Sequence, residues 1–300
     1  MRTTVAVAQI GTRLGDSAAT LEALEQACAE CAAQGAQLAV FPEALIGGYP
    51  KGLAFGASLG IRTPAGRTLF RAYADNAIEV PGPMVERIGA IARRHGLLLV
   101  LGVVERDGGT LYCTVLYVAA DGRLLGKHRK LVPTAVERVV WGCGDGTTLT
   151  AVDSPLGRLG GLICWENYMP LARMAMYAQG VQIYCAPTVD DREAWIPTVR
   201  MIAREGRCFV LSSCQFLTRD CYPAGWLESA RDLPEVPIRG GSCIVNPMGE
   251  IIAGPLYDRP GVLSVSIDLA ELTEAKFDFD VVGHYARPDV FRFEVRRPER

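Results

Sequence analysis

The chain has 300 residues, 49% of them hydrophobic and 21% charged, with a formal net charge of -2. This length supports one large domain or two small ones around a substantial core. The balanced charge, with no long block of one sign, argues against a nucleic-acid partner. Apolar runs such as "GLLLVLGVV" are too short to span a membrane. The start, "MRTTVAVAQIGT", lacks the long apolar region and cleavage site of a secretory signal, so a soluble, cytoplasmic protein is expected.

In chain order, "TTVAVAQI" predicts a strand, followed by an alanine-rich helix capped near Asp16 or Ser17 and stopped by Gly35. "QLAVFPE" predicts a second strand ending at Pro42-Glu43, before a loop rich in Gly and Pro. A helix is expected over 83–95, then the strand "LLLVLGVVE". "TLYCTVLYVAA" and "LLGKHRK" predict a hairpin turning at Asp121-Gly122. "RLGGLICW" predicts a strand, "MPLARMAMYAQG" a helix and "VQIYCAPT" a strand. A helix over 191–206 precedes the strand "CFVLSSCQF". "GGSCIVNPMGEIIAG" predicts a hairpin about Pro247-Met248-Gly249, and "GVLSVSIDL" a last core strand. Near-continuous apolar strands alternating with helices point to an α/β fold, its sheets covered by helices on at least one face. Residues 48–80 and 218–238 lack regular patterning and read as pocket-forming loops. The tail from about residue 287 reads as polar and loose.

Ten cysteines lie mostly inside apolar runs, where a thiol packs as a small hydrophobe. Cys28 and Cys31 form C-x-x-C, but inside a helix and without a second ligand pair, so they read as helix packing. Cys164 differs: it sits between the strand "RLGGLICW" and the helix expected from Met169 or Pro170. Strand ends are where catalytic groups become accessible. A cysteine nucleophile needs a thiolate, a proton carrier and a group to stabilise the charged intermediate. Glu43, after an apolar strand and a proline, is costly there unless used or paired. Lys130 follows another strand, and Glu137 comes seven residues later. On these local features alone, a cap, a solvated turn and an inert buried thiol remain open alternatives.

"FPEALIGGYPKG", "GKHRKLVPTAVERVVWG", "GLICWENYMPLARMAMYAQGVQIYCAPT" and "DFDVVGHYARPDV" resemble, in order, the sequence blocks of the nitrilase superfamily. "CWEN" and "GHYARPDV" resemble its true nitrilases, including the plant ones. The resemblance covers nearly the whole chain and implies a single carbon-nitrogen hydrolase domain over 1–300. It also implies a four-layer α-β-β-α sandwich with the site at strand ends. Carried over by position, the catalytic glutamate matches Glu43, the lysine Lys130, the cysteine Cys164 and the auxiliary glutamate Glu137. The implied reaction is hydrolysis of an arylaliphatic or aliphatic nitrile through a thioimidate and a thioester, with Trp165 N–H and Lys130 stabilising charge. No metal or organic cofactor is implied, and His95, His128 and His284 are too dispersed for a metal site. Tyr49, Thr134, Trp165, Pro187 and Thr188 are candidate pocket residues. The resemblance further implies self-association as a homodimer or higher oligomer.

Rival readings are an amidase, a carbamoylase or a cyanide or cyano-amino-acid hydrolase of the same superfamily, and a non-catalytic binding protein. "GASLG" around Ser58 matches the G-x-S-x-G nucleophile elbow, but a proline stands where its helix should run. "GCGDGT" lacks the ending of a phosphate loop and reads as a turn.

Overall fold

The structure, a computed structural model, describes residues 2–297. In chain order the strands are β1 (Arg2–Gln9), β2 (Leu38–Val40), β3 (Ala57–Ser58), β4 (Ile61–Arg62), β5 (Leu98–Asp107), β6 (Thr110–Val118), β7 (Leu124–Arg129), β8 (Val152–Ser154), β9 (Gly157–Gly161), β10 (Ile183–Cys185), β11 (Phe209–Ser212), β12 (Phe216–Leu217), β13 (Ile238–Val245), β14 (Ile251–Tyr257) and β15 (Gly261–Asp268). The helices are α1 (Ser17–Ala33), α2 (Pro64–Ala74), α3 (Pro83–His95), α4 (Pro170–Ala178), α5 (Trp195–Gly206), α6 (Ala224–Leu227) and α7 (Glu271–Ala275).

One sheet runs β15-β1-β2-β5-β6-β7, and the other runs β12-β13-β11-β10-β9-β8 with β14 paired to β13. In each, the central strands are parallel: β1 with β2 and β2 with β5, and β9 with β10 and β10 with β11. The outer pairings are antiparallel, such as β6 with β7 and β11 with β13. A parallel pair needs a long crossover, supplied by α1 between β1 and β2, α2 and α3 between β2 and β5, α4 between β9 and β10, and α5 between β10 and β11.

Strand alternation places the layers. Val5, Val7, Leu38, Val40, Leu98 and Val100 meet Leu159, Ile183, Phe209 and Leu211 in a core between the two sheets. The intervening Ala6, Ala8, Ala39 and Leu99 face outward onto Leu21, Leu24, Ile88 and Ile91 of α1 and α3. Tyr184 and Val210 face Ala172, Met176, Val199 and Ile202 of α4 and α5. The result is an α-β-β-α sandwich. Buried on both faces, these strands carry apolar residues at nearly every position. Each fully buried Val, Leu or Ile contributes roughly 1.5–3 kcal/mol.

Asp16 caps α1 by accepting from Ala19 N–H at 2.9 Å. Two regions depart from the expected pattern. The loop after β2 contains the β3–β4 hairpin and α2, where Thr63 accepts from Gly66 N–H at 3.0 Å and Pro64 starts the helix. A proline is favoured at that first helical position because its missing N–H has no partner to lose. Ser58, expected in a loop, lies exposed in the hairpin, with no helix directly after it. The tail also differs: Val295 packs against the core under α4 and α5, and the Arg296 carbonyl lies on Gly146, where a Cβ would meet it at 2.0 Å. Among the described residues, no helix is long and apolar enough to cross a membrane.

Candidate active site

The carboxyl ends of β2, β7, β9 and β10 deliver the polar groups of one crevice. After β2 the chain lifts over β5. Gly102 N–H donates to Pro42 O at 3.0 Å, and Leu45 N–H donates to Gly102 O at 2.9 Å. Only glycine fits there, because a Cβ at Gly102 would lie 2.4 Å from Ala44 N and 2.6 Å from Glu43 Cα. This lift turns the fully buried Glu43 into the space between the sheets.

Lys130, the first residue after β7, is buried with it. Its Nζ donates to Glu43 Oε1 at 2.7 Å and to Glu137 Oε2 at 2.8 Å. Glu137 lies in a 3₁₀ turn, Ala135–Val139, and accepts from Thr134 N–H at 2.7 Å and from Tyr49 OH at 2.8 Å. Tyr49 packs edge-on against Trp141, whose indole N–H donates to Tyr73 OH.

Strand β9 stops three residues before Cys164, not at it. Cys164 opens a 3₁₀ turn, Cys164–Tyr168, and its N–H donates to Pro187 O at 2.9 Å beyond the end of β10. Cys164 adopts φ +50°, Ala44 +47° and Ala135 +49°. A non-glycine side chain resists that left-handed region. Three such residues on the three loops bearing Glu43, Glu137 and Cys164 are local strain of the kind that gathers at functional sites. The Thr188 hydroxyl donates to Cys164 Sγ at 3.2 Å.

Burial pushes the Cys164 thiol up, and the Glu43 charge pushes it further; Lys130 and the Thr188 hydrogen bond pull the other way without prevailing. The resting site therefore favours the thiol over the thiolate. Burial also raises Glu43 above the usual carboxylate range, against the opposing pull of Lys130. Burial lowers Lys130, but the charges of Glu43, Cys164, Cys113 and Glu137 outweigh it and hold the amine well above its usual value. Glu43 Oε2 is buried without a hydrogen-bond partner. The arrangement is a raised carboxylate beside a protonated thiol, with a fixed ammonium between two carboxylates. It can move one proton from sulfur to oxygen and stabilise nearby negative charge.

A cavity of about 200 Å³ reaches Cys164. Tyr49, Thr134 and Trp165 line it, as do Lys51, Asp190 and Arg192. Thr188 reaches the site through its hydroxyl, whereas Pro187 builds the turn through its carbonyl and is absent from the lining. Sequence reasoning missed two groups on Glu43. Cys113, read as a core thiol, lies with its Sγ 3.5 Å from Glu43 Oε1, and Gln215 Nε2 donates to Glu43 O at 2.8 Å. Gln215 inside "SSCQF", polar at the end of an apolar strand, was the available signal; Cys113 had none. It also missed Asp190, which accepts from Trp165 Nε1 at 2.8 Å and from Arg192. Among the described residues, no group of three or more His, Cys, Asp or Glu is placed to hold a metal ion.

The carbon-nitrogen hydrolase family profile matches residues 4–277. The chain belongs to the carbon-nitrogen hydrolase family. This carbon-nitrogen hydrolase falls in the nitrilase branch. It is 54% identical over 291 residues to an aliphatic nitrilase of Sinorhizobium fredii, covering 97% of this chain and 94% of the relative. It is 52% identical over 295 residues to a bifunctional nitrilase/nitrile hydratase of Nicotiana tabacum, covering 97% and 85%. An amidase from Nesterenkonia sp. shares the fold of this hydrolase with a TM-score of 0.66 and 21% identity, over 92% of this chain and 94% of that one.

Proposed function

We propose that this enzyme hydrolyses an organic nitrile to the carboxylic acid and ammonia. The observation that carries the reading is the buried contact of Lys130 with Glu43 and Glu137, set beside a cysteine on a strained turn. Cys164 sulfur attacks the nitrile carbon as its proton passes to Glu43 and on to nitrogen, giving a thioimidate. Water adds, the C–N bond breaks, ammonia leaves and a thioester remains. A second water, deprotonated by Glu43 and oriented by Glu137, releases the acid and restores the thiol. Lys130 and the Trp165 N–H stabilise the tetrahedral species. Tyr49, Thr134, Trp165 and Thr188 would contact the substrate, with aliphatic or arylaliphatic nitriles the class we favour.

Self-association through the α4–α5 layer belongs to the same reading. Leu171 and Met201 are exposed there, an apolar pair that a second copy would cover. A cytoplasmic setting is supported by ten unpaired cysteines.

The test is ammonia release from a panel of nitriles run beside the matching amides, for wild type and Cys164→Ala. Ammonia from nitriles, lost in the variant, is the expected result. Ammonia from amides alone would move the enzyme to amide hydrolysis.

A further inference from the structure

The mechanism leaves the buried ionisable pair of Glu166 and His128 unused. Glu166 and His128 are each 1% exposed. Glu166 lies two residues after Cys164, and His128 lies two before Lys130. A carboxylate that merely capped the 3₁₀ turn would need one bond, to the N–H ahead of the turn. Glu166 makes that bond, from Ile163 N–H to Oε2 at 2.8 Å, and then spends its other oxygen elsewhere. Oε1 accepts from Leu131 N–H at 2.6 Å, and His128 Nε2 sits 3.2 Å from both oxygens.

The two peptides held are telling. Ile163 immediately precedes the nucleophile, and Leu131 immediately follows the lysine. One lies after β9 in the second sheet and the other after β7 in the first. A single rigid carboxylate therefore joins the two sheets where the catalytic groups emerge. His128 secures it. Its Nδ1 faces the Thr148 carbonyl at 3.2 Å and its Nε2 faces a carboxylate. Both neighbours accept, so a hydrogen on either ring nitrogen meets an acceptor. Burying a carboxylate beside an ionisable ring is costly, so the pair is poorly explained as a source of stability.

We propose that Glu166, held by His128, is a positioning residue that fixes the distance between Lys130 and the Cys164 sulfur. This rests on the reading above that Cys164 and Lys130 act in catalysis. Burial raises the Glu166 carboxyl, but the His128 charge and hydrogen bond, with the two backbone N–H groups, hold it below the usual range. It therefore stays an acceptor at working pH. A displacement of about 1 Å at a reacting group can cost on the order of 10²-fold in rate.

The experiment uses Glu166→Gln, which keeps the shape and replaces one acceptor with an NH₂ donor facing an N–H. The expected variant is folded, with KM near wild type and kcat lower by roughly 10²-fold. Inactivation of Cys164 by iodoacetamide, followed in a Cys143→Ser background, should slow in parallel. A role confined to stability would lower the melting temperature and leave kcat per folded molecule unchanged, which would overturn the proposal. If Glu166→Gln does not fold, His128→Gln is read the same way: it leaves Glu166 on both backbone N–H groups. A lower kcat at constant KM supports the clamp, and wild-type kcat overturns it. Cys164→Ala run alongside separates the two levels: if it still turns over nitrile, the catalytic reading falls and the clamp falls with it.

Discussion

Lys130 Nζ donates to Glu43 at 2.7 Å with neither side chain accessible to solvent. Glu137 lies on the same ammonium at 2.8 Å, so the fully ionised cluster carries one negative charge too many. Removing either partner has opposite consequences. Lys130→Ala leaves the buried Glu43 and the part-buried Glu137 without their cation and should destabilise the fold by roughly 3–5 kcal/mol. Glu43→Gln leaves Lys130 balanced by Glu137. The folded state raises the Glu43 pKa, so its contribution to stability is full below the unfolded carboxylate pKa and declines as pH rises. At pH 7 the Gln variant should therefore melt at or above the wild-type temperature while losing turnover. Thermal unfolding of both variants checks this, and a Lys130→Ala protein melting with wild type would contradict it.

Activity should fall with pH at a higher value than a free glutamate sets. Glu43 must be ionised to take the Cys164 proton, and its pKa lies above the ordinary 4.5. The acid limb of kcat/KM should thus lie above pH 4.5. Glu43→Gln should also suppress alkylation of Cys164 near neutral pH, because the thiol has no other base. An acid limb at or below 4.5 would mean that Glu43 is not the proton acceptor.

Thr188→Val tests the hydroxyl on sulfur. That hydroxyl donates to Cys164 Sγ and accepts from Asp190 N–H at 2.9 Å. A hydrogen bond to a charged acceptor is worth about 1.5–3 kcal/mol. The variant should therefore lose roughly tenfold or more in kcat/KM, the sulfur being charged only as reaction proceeds. Unchanged kinetics would reduce Thr188 to packing.

Thiol labelling needs one control that the fold reveals. Cys143 is exposed while the other nine cysteines are buried, so it will label whatever the active site does. In a Cys143→Ser background, one residue, Cys164, should react far faster than the rest. Cys164→Ala should remove that reaction and all turnover while retaining the wild-type circular dichroism spectrum.

Ser58→Ala should leave turnover within about twofold, as expected for a surface substitution away from special features. The serine is exposed in the β3–β4 hairpin, with no following helix to build an elbow. A large loss would reopen the serine reading.

By itself the sequence determined the order of strands and helices, and its resemblance to a family supplied the four-layer sandwich and singled out the four polar positions. Val5, Val7 and Leu38 alternate with Ala6, Ala8 and Ala39, and a period of two residues can only load two faces. Glu43, Lys130 and Cys164 were legible because each follows an apolar run, where a polar group must be used or paired. The α2 helix was not legible in the sequence: its Thr63-Pro64 start is the one local signal, inside a stretch otherwise rich in glycine and proline that reads as a loop. Tertiary structure decided the rest. Cys113 lies in an unbroken apolar strand, and nothing local marks its face as the one beside Glu43. Thr188 reaches sulfur only because β9 and β10 are parallel neighbours whose ends meet. Glu166 reads locally as a turn residue, and its hold on Leu131 exists only where the two sheets come together. Those contacts join residues 24 to 70 positions apart, and such pairings are set by sheet order, which no local pattern encodes.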